Sequence, residues 1–151
     1  MAPILVLGIG NILLRDEGVG VRVIEAMREI QLPSGVELMD GGTSGVDLVD
    51  EIADRSKLIV VDAARSDEPP GTIFRMGMED LLPGEGQSMS LHEFGLLDTL
   101  VTARTLGCLP RQIVIFGVQP RDVTSGLELS ETIQALIPGL IKAILAECEV
   151  E

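Results

Sequence analysis

The sequence predicts a single α/β domain of three layers, in which a mostly parallel, twisted sheet of about five strands carries helices on both faces. The predicted strands are continuous apolar runs, which are typical of strands buried on both faces. These runs alternate with segments of helical periodicity, and that alternation predicts a parallel sheet covered by helices. With 151 residues, 46% of them apolar, the chain suits one core, so we expect residues 1–151 to form one domain.

The first half of the chain contains three predicted strands and two predicted helices. The strands are short apolar runs that end at glycine or aspartate-rich turns, at Ile4–Gly8, Val36–Met39 and Lys57–Val61. Apolar residues recur at helical spacing through Val19–Ile30, with charged residues between them. Val46–Ala53 is predicted as a second, shorter helix.

The second half is predicted to add an edge strand, a further buried strand and a helix between them. Thr72–Met76 follows a polar, Pro-rich stretch and suits an edge strand. Pro83–Ser90 is rich in Gly and Ser, so we expect it to be mobile. Phe94–Leu106 has helical spacing, and Gln112–Val118 is an apolar run that predicts a strand.

A last helix is predicted to begin after Ser130 and to run towards Glu147. Serine is a favoured residue at the N-cap, where its side chain accepts a hydrogen bond from the first turn. Pro138 and Gly139 lie inside this segment and should kink the helix or restart it.

The charge of the chain excludes several kinds of partner. There are 24 Asp and Glu against 11 Lys and Arg, a net charge of −13, and the aromatic residues are three Phe. Such a surface repels phosphate backbones and anionic lipid, and it offers few rings on which bases could stack. No apolar run approaches the ~18–20 residues that cross a bilayer. We therefore expect no nucleic-acid partner and no membrane partner.

Acidic side chains collect where the predicted strands end. In an open parallel sheet, ligands bind outside the carboxyl ends of the strands. The segments predicted to lie there carry five acids and the only histidine of the chain: Asp16, Glu17, Asp40, Asp62, Asp122 and His92. The sequence therefore predicts an acidic cleft at one edge of the sheet.

Two carboxylates and an imidazole would suit zinc, nickel or a similar divalent ion. Three protein ligands leave open positions, as in sites that exchange a substrate. Each residue also has a simpler explanation. Acids at a helix start interact favourably with its dipole, an acid after a strand is often a solvated turn residue, and a single histidine is often structural. The residues alone leave both interpretations open.

No motif for a covalent nucleophile is complete. Gly42–Ser44 begins like a nucleophile elbow, but its closing glycine would fall at Val46. Cys108 and Cys148 lie in apolar contexts that do not favour pairing with His92. If the chain is a hydrolase, the sequence predicts attack by water and no acyl-enzyme.

The ordered set of motifs resembles the nickel–iron hydrogenase maturation endopeptidases. The first and longest motif is specific, whereas the shorter ones gain weight from their order and spacing. The matching segments are Gly8–Val21, Asp40–Thr43, Asp62–Ala63, Ser90–Leu96, Gly117–Pro120 and Gly126–Ser130. The resemblance extends essentially from end to end, and the stretch from Arg65 to Met89 aligns least well.

The resemblance implies an activity, a partner and a set of site residues. Members of the family are small α/β proteins that remove a C-terminal peptide from the hydrogenase large-subunit precursor after nickel has been inserted. By resemblance, Glu17, Asp62 and His92 match the metal-contacting residues, and Asp40 matters for activity. The nickel would be supplied by the substrate, although another divalent metal could occupy the site in the free protein. Either the metal polarises the carbonyl or a carboxylate, Asp16 or Asp40, acts as general base.

Two other classes of protein remain open at this point. One is a non-catalytic nickel chaperone for hydrogenase assembly that uses the same ligands. The other is a nucleotide-binding oxidoreductase module, which only Gly8-x-Gly10 favours; Leu13 stands where the third glycine of that fingerprint would fall, so a tight turn is the better interpretation. We further expect a monomer, located in the cytoplasm where hydrogenases are assembled.

Overall fold

The computed structural model describes residues 2–43, 48–81, 90–91 and 95–149, with the backbone only for 90–91. It shows the predicted single α/β domain. The strands are β1 Ile4–Ile9, β2 Val36–Gly42, β3 Lys57–Arg65, β4 Ile73–Met76, β5 Ser90–Leu91 and β6 Gln112–Val118. The helices are α1 Val19–Met27, α2 Val49–Ile52, α3 Gly95–Thr105, α4 Glu131–Gln134 and α5 Ile137–Glu149, with 3-10 turns at Arg15–Gly18 and Met78–Leu81.

The main sheet has five strands in the order β2-β1-β3-β6-β4. The pairs β1–β2, β1–β3 and β3–β6 are parallel, whereas β4 is antiparallel to β6 at the edge. The two-residue strand β5 pairs antiparallel with the last two residues of β3. The prediction of a mostly parallel sheet of about five strands, with an edge strand near residue 74, is therefore confirmed.

Helices cover both faces of this sheet and create two apolar layers. Alternate residues of β3 point to opposite faces, as strand geometry requires. Ile59 and Val61 pack against α1 and α5, whereas Leu58 and Val60 pack against α2 and α3. Both sets are completely buried, which explains why the strand is apolar at every position rather than at every second one.

Two strands extend further than the sequence predicts, and this places two of the acids inside strands. The prediction ends β2 at Met39 and β3 at Val61, but β2 continues through Asp40 to Gly42 and β3 through Asp62 to Arg65. Pairing explains the extension: β6 continues to pair with residues 62 and 63 of β3, and β5 pairs with residues 64 and 65.

The last helical segment is two helices rather than one. α4 ends at Gln134 and α5 begins at Ile137, so that Pro138 lies in the first turn of a new helix, where proline is tolerated. The predicted restart is correct. Ser130 does occupy the N-cap position, but its side chain makes no cap hydrogen bond; its hydroxyl donates to Asp16 instead.

Other helix predictions are correct in position and differ at their ends. α1 stops at Met27, three residues before the predicted end, and α3 covers 95–105 of the predicted Phe94–Leu106. Of the predicted helix at residues 46–53, the structure shows the single turn α2. Residues 46 and 47 lie outside the described part. The predicted mobility concerns the Gly- and Ser-rich segment Pro83–Ser90, of which residues 83–89 also lie outside the described part.

Glycines bring α1 into backbone contact with the sheet. A Cβ on Gly20 would lie 2.1 Å from the carbonyl oxygen of Val61, and one on Gly8 would lie 2.2 Å from that of Gly20. Gly10 has φ 142°, and a Cβ there would lie 2.1 Å from the carbonyl oxygen of Glu17. The glycines of the first motif therefore let the turn that carries Glu17 approach the carboxyl ends of β1 and β3.

A buried ion pair holds α5 against the opposite end of the sheet. The Lys57 ammonium donates to the carbonyl oxygen of Glu147 at 2.7 Å and to its carboxylate at 3.1 Å. Arg75 donates to the same carboxylate at 2.6 Å and 3.1 Å. Hydrogen bonds, first from Arg75 and then from Lys57, lower the pKa of the Glu147 carboxyl.

In the described part of the chain, no helix is long and apolar enough to cross a membrane.

Glu147 should make the stability of the protein sensitive to acid. Its pKa is lower in the folded state than the ~4.3 expected when unfolded, so its contribution is present above that pH and disappears as the pH falls through the lowered pKa. Between pH 6 and pH 3, urea unfolding should show wild type losing more stability than Glu147→Gln. Glu68→Gln, in an exposed loop, should keep the wild-type pH profile. Equal acid slopes for wild type and Glu147→Gln would contradict this role.

Candidate functional site at the carboxyl edge of the sheet

The acids of β2 and β3 reach the same edge of the sheet. Asp40 pairs with Gly8 of β1, and Gly8 pairs in turn with Val61 of β3, so Asp40 and Val61 lie at the same level with β1 between them. Because neighbouring strands are about 4.8 Å apart, their backbones are separated by roughly 10 Å. Asp62 is one residue further along β3, on the face that carries α2 and α3.

Glu17 and Asp62 are both buried carboxylates. Glu17 lies in the 3-10 turn that precedes α1 and is 1% exposed, whereas Asp62 is completely buried near the end of β3. The backbone N–H of Ala63 donates to Asp62 Oδ1 at 2.8 Å. Buried carboxylates require a compensating positive charge or hydrogen-bond donors, and such groups are common in functional sites.

Arg65 provides a positive charge at this site, and no sequence motif predicts it. Its guanidinium forms an ion pair and a short hydrogen bond with Glu17 Oε1. The Arg65 side chain is 56% exposed, whereas the Glu17 side chain is 2% exposed. The available signal was a single cation three residues after Asp62, but Arg65 belongs to the region where the resemblance is weakest.

Asp16 is surrounded by hydrogen-bond donors from the C-terminal third of the chain. Its Oδ2 accepts from the backbone N–H groups of Arg121 at 3.0 Å and Asp122 at 2.9 Å and from the Ser130 hydroxyl at 2.8 Å. Its Oδ1 accepts from the Ser130 backbone N–H at 2.8 Å. The carboxylate is completely buried. Asp16 therefore ties the segment after β6 and the start of α4 to the 3-10 turn.

Asp40 has a more accessible environment. Its side chain is exposed at the end of β2, and its Oδ1 accepts a hydrogen bond from the Gly42 backbone N–H at 2.8 Å. Gly42 adopts φ 51°, which favours glycine, and its carbonyl accepts from Gly10 at 2.8 Å. The Asp-Gly-Gly segment thus forms the end of β2, and its hydrogen bonds fix the carboxylate at the edge of the sheet.

His92, the third predicted metal ligand, lies outside the described residues. Its described neighbours are close to the buried acids in the fold. Leu91 pairs with Ala64, two residues after Asp62. α3, which begins three residues after His92, packs on the face of the sheet to which Asp62 belongs.

Asp122, the fifth acid, stabilises its own loop. The Thr124 hydroxyl and backbone N–H donate to Asp122 Oδ1 at 2.7 Å and 2.9 Å. These hydrogen bonds, with a smaller contribution from nearby Arg15, lower the pKa of the Asp122 carboxyl. Arg15 lies 3.5 Å from Asp122 and has φ 49°, which turns the chain sharply just before Asp16.

The structure thus places two buried carboxylates, Glu17 in the turn that contacts β3 and Asp62 in β3 itself, and an exposed one, Asp40, at the carboxyl edge of the sheet. The described residues alone contain no group of three or more His, Cys, Asp or Glu placed to hold a metal. Two carboxylates with one further ligand would leave positions for a metal held by another molecule. Fold and site define a three-layer α/β protein with an acidic site at the carboxyl edge of its sheet.

Comparison with known proteins identifies the family. Residues 21–147 match the family described as hydrogenase maturation protease. The hydrogenase 2 maturation protease of Escherichia coli is 39% identical over 145 residues, covering 95% of this chain and 88% of that protein. The hydrogenase expression/formation protein HoxM of Azotobacter vinelandii is 40% identical over 146 residues, covering 94% of this chain and 70% of that protein. The chain belongs to the hydrogenase maturation protease family.

Solved structures support the same assignment. The hydrogenase maturating endopeptidase HybD from E. coli matches with a TM-score of 0.85 and 37% identity, covering 95% of this chain and 90% of that one. A hydrogenase 2 maturation peptidase from a Thaumarchaeota archaeon matches with a TM-score of 0.75 and 31% identity, covering 98% and 99%. The fold and family predicted from the sequence motifs are confirmed.

Proposed function

We propose that this protein removes the C-terminal extension of a nickel–iron hydrogenase large-subunit precursor after nickel insertion. The nickel is part of the substrate, and the protein contacts it through Glu17, Asp62 and His92. The observation that carries this proposal is the burial of two carboxylates at the carboxyl edge of the sheet, Glu17 in the turn before α1 and Asp62 near the end of β3. Membership of the maturation protease family supports the peptidase reaction.

Water is the proposed nucleophile, and Asp40 is the proposed general base. A general base must reach the attacking water and must have an oxygen able to take its proton. Asp40 is exposed, and one of its oxygens accepts from Gly42. Asp16 is completely buried and already accepts four hydrogen bonds, which favours a structural role for it. In this scheme Asp40 takes a proton from water and the oxygen attacks the carbonyl carbon. Asp40 then gives that proton to the peptide nitrogen as the C–N bond breaks, so that the C-terminal peptide leaves as an amine and Asp40 is again a carboxylate.

The peptidase reaction can be tested by intact-mass analysis of a client precursor loaded with nickel. We expect the precursor to lose one C-terminal peptide, and the masses of the two products to add up to the mass of the precursor plus one water. Quenched samples of the protease itself should keep their mass, because no acyl-enzyme forms. Tight nickel binding without any change in precursor length would instead indicate the chaperone function. A covalent adduct on the protease would contradict attack by water.

Replacing Asp40 with Asn should slow cleavage by about 100-fold, the lower end of the range for general-base catalysis. The amide keeps the hydrogen bond from Gly42 but cannot take a proton from water, so the melting temperature should change little. Single-turnover cleavage of the nickel-loaded precursor measures the effect. Asp54→Asn, on the loop before β3 at the other end of the sheet, is the matched control and should cleave at the wild-type rate. A wild-type rate for Asp40→Asn would remove Asp40 from the mechanism.

A further inference from the structure

The ion pair between Arg65 and Glu17 affects the affinity of the site for free metal ions. Arg65 is the last residue of β3, and its guanidinium binds a carboxylate that is itself 2% exposed. Any cation that coordinates Glu17 must either displace this guanidinium or bind next to it. The positive charge at Arg65 therefore opposes metal binding, while in the metal-free protein it compensates the buried carboxylate.

The exposure of Arg65 makes this opposition reversible. The side chain is 56% exposed, so the guanidinium can leave Glu17 and be hydrated by solvent when a cation takes its place. A free cation is stabilised only by the ligands of the site. The free energy of that coordination must exceed the free energy lost when the ion pair between Arg65 and Glu17 breaks. A nickel ion presented by a docked precursor also benefits from the protein contacts of that precursor, which raise its effective concentration at the site.

We propose that Arg65 is a specificity-determining residue that keeps free divalent cations out of the site, so that the protein responds to nickel held by its substrate. This inference rests on the proposed function, because it assumes that Glu17 contacts the metal. It assigns to Arg65 a task separate from ligation and from catalysis: the residue competes for one ligand and lowers affinity for metal in the absence of the precursor.

The test is calorimetric titration of the full-length protein with Ni²⁺ alone. Arg65→Gln should bind Ni²⁺ at least about tenfold more tightly than wild type, because a like charge at contact distance from a dication is removed. Arg65→Lys keeps the charge and should stay within about threefold of wild type. The double variant Glu17→Gln/Arg65→Gln should lose the gain, because the competition is for Glu17.

Arg75→Gln is the matched control. Arg75 is 59% exposed and pairs with the largely buried Glu147, much as Arg65 pairs with Glu17. Arg75→Gln and Arg65→Gln each change the net charge of the protein from −13 to −14. The ion pair between Arg75 and Glu147 lies at the other end of the sheet, because Glu147 also binds Lys57, the first residue of β3. Arg75→Gln should therefore bind Ni²⁺ as wild type does. Thermal unfolding without metal establishes that each variant is folded, and Ni²⁺ should raise the melting temperature of Arg65→Gln more than that of wild type.

The outcomes separate this inference from the proposed function. No gain in Arg65→Gln, an equal gain in Arg75→Gln, or an equal gain in Arg65→Lys would each overturn the role of Arg65. Cleavage of the nickel-loaded precursor by Glu17→Gln tests the proposed function independently. If that variant is inactive and Arg65→Gln shows no gain, only the inference about Arg65 fails; if that variant is fully active, the proposed nickel contact fails.

Discussion

Glu17→Gln should reduce cleavage of a nickel-loaded precursor to the background rate, a loss of at least about 100-fold. Replacing a residue that only hydrogen-bonds a metal ligand typically lowers metal affinity or activity 10- to 100-fold. Replacing a charged ligand itself should lower activity further. The amide oxygen of the variant can still accept from Arg65, so the melting temperature should fall by only a few degrees. Intact-mass analysis of the precursor at several times measures the rate.

Glu25→Gln is the control for Glu17→Gln. Glu25 lies on the exposed side of α1, where it pairs with Arg22, and its change should leave cleavage unaffected. Asp62→Asn and His92→Ala should resemble Glu17→Gln, because all three residues are proposed to contact the same ion. Normal cleavage by Glu17→Gln would remove the carboxylate from nickel recognition.

Asp16→Asn should destabilise the protein by about 3 kcal/mol, which corresponds to a fall in melting temperature of roughly 10 °C for a chain of this size. The carboxylate accepts three backbone N–H groups and one hydroxyl while completely buried. An amide replaces one acceptor oxygen with an NH₂ group that faces donors. Hydrogen bonds to charged groups contribute about 1.5–3 kcal/mol each, so the loss is large even if the loop relaxes.

The same variant separates a structural from a catalytic role for Asp16. At a temperature at which Asp16→Asn is folded, its cleavage rate should fall by less than tenfold, far less than in Asp40→Asn. Asp122→Asn is the control, since that side chain belongs to the same loop but is part-exposed and bonds mainly to Thr124. An Asp16→Asn variant with wild-type stability and no cleavage would place Asp16 in the chemistry.

Local features of the sequence were sufficient to predict most of the fold. The apolar runs of β1 and β6 predict their bounds to within a residue, because strands buried on both faces need apolar residues throughout. The ends of β2 and β3 were predicted too early. Asp40 and Asp62 look like turn residues, but pairing with neighbouring strands continues past them, and that pairing is not visible in a local window.

The site was predicted less completely than the fold. The acids at the edge follow from strand order, and the motifs assign them to the family. The partners of those acids depend on contacts between distant segments. Ser130 bonds Asp16 from 114 residues away, and Arg65 bonds Glu17 from 48 residues away. Ser130 was therefore predicted as a helix cap, because serine favours that position locally. In the structure its hydroxyl donates to the buried carboxylate of Asp16 instead.

In the proposed function, cleavage depends on nickel held by the substrate. The most direct measurement is a parallel incubation of the wild-type protein with nickel-loaded and metal-free forms of one client precursor, followed by intact-mass analysis. We expect loss of the C-terminal peptide from the loaded precursor alone. Equal cleavage of both forms would contradict nickel recognition through Glu17, Asp62 and His92.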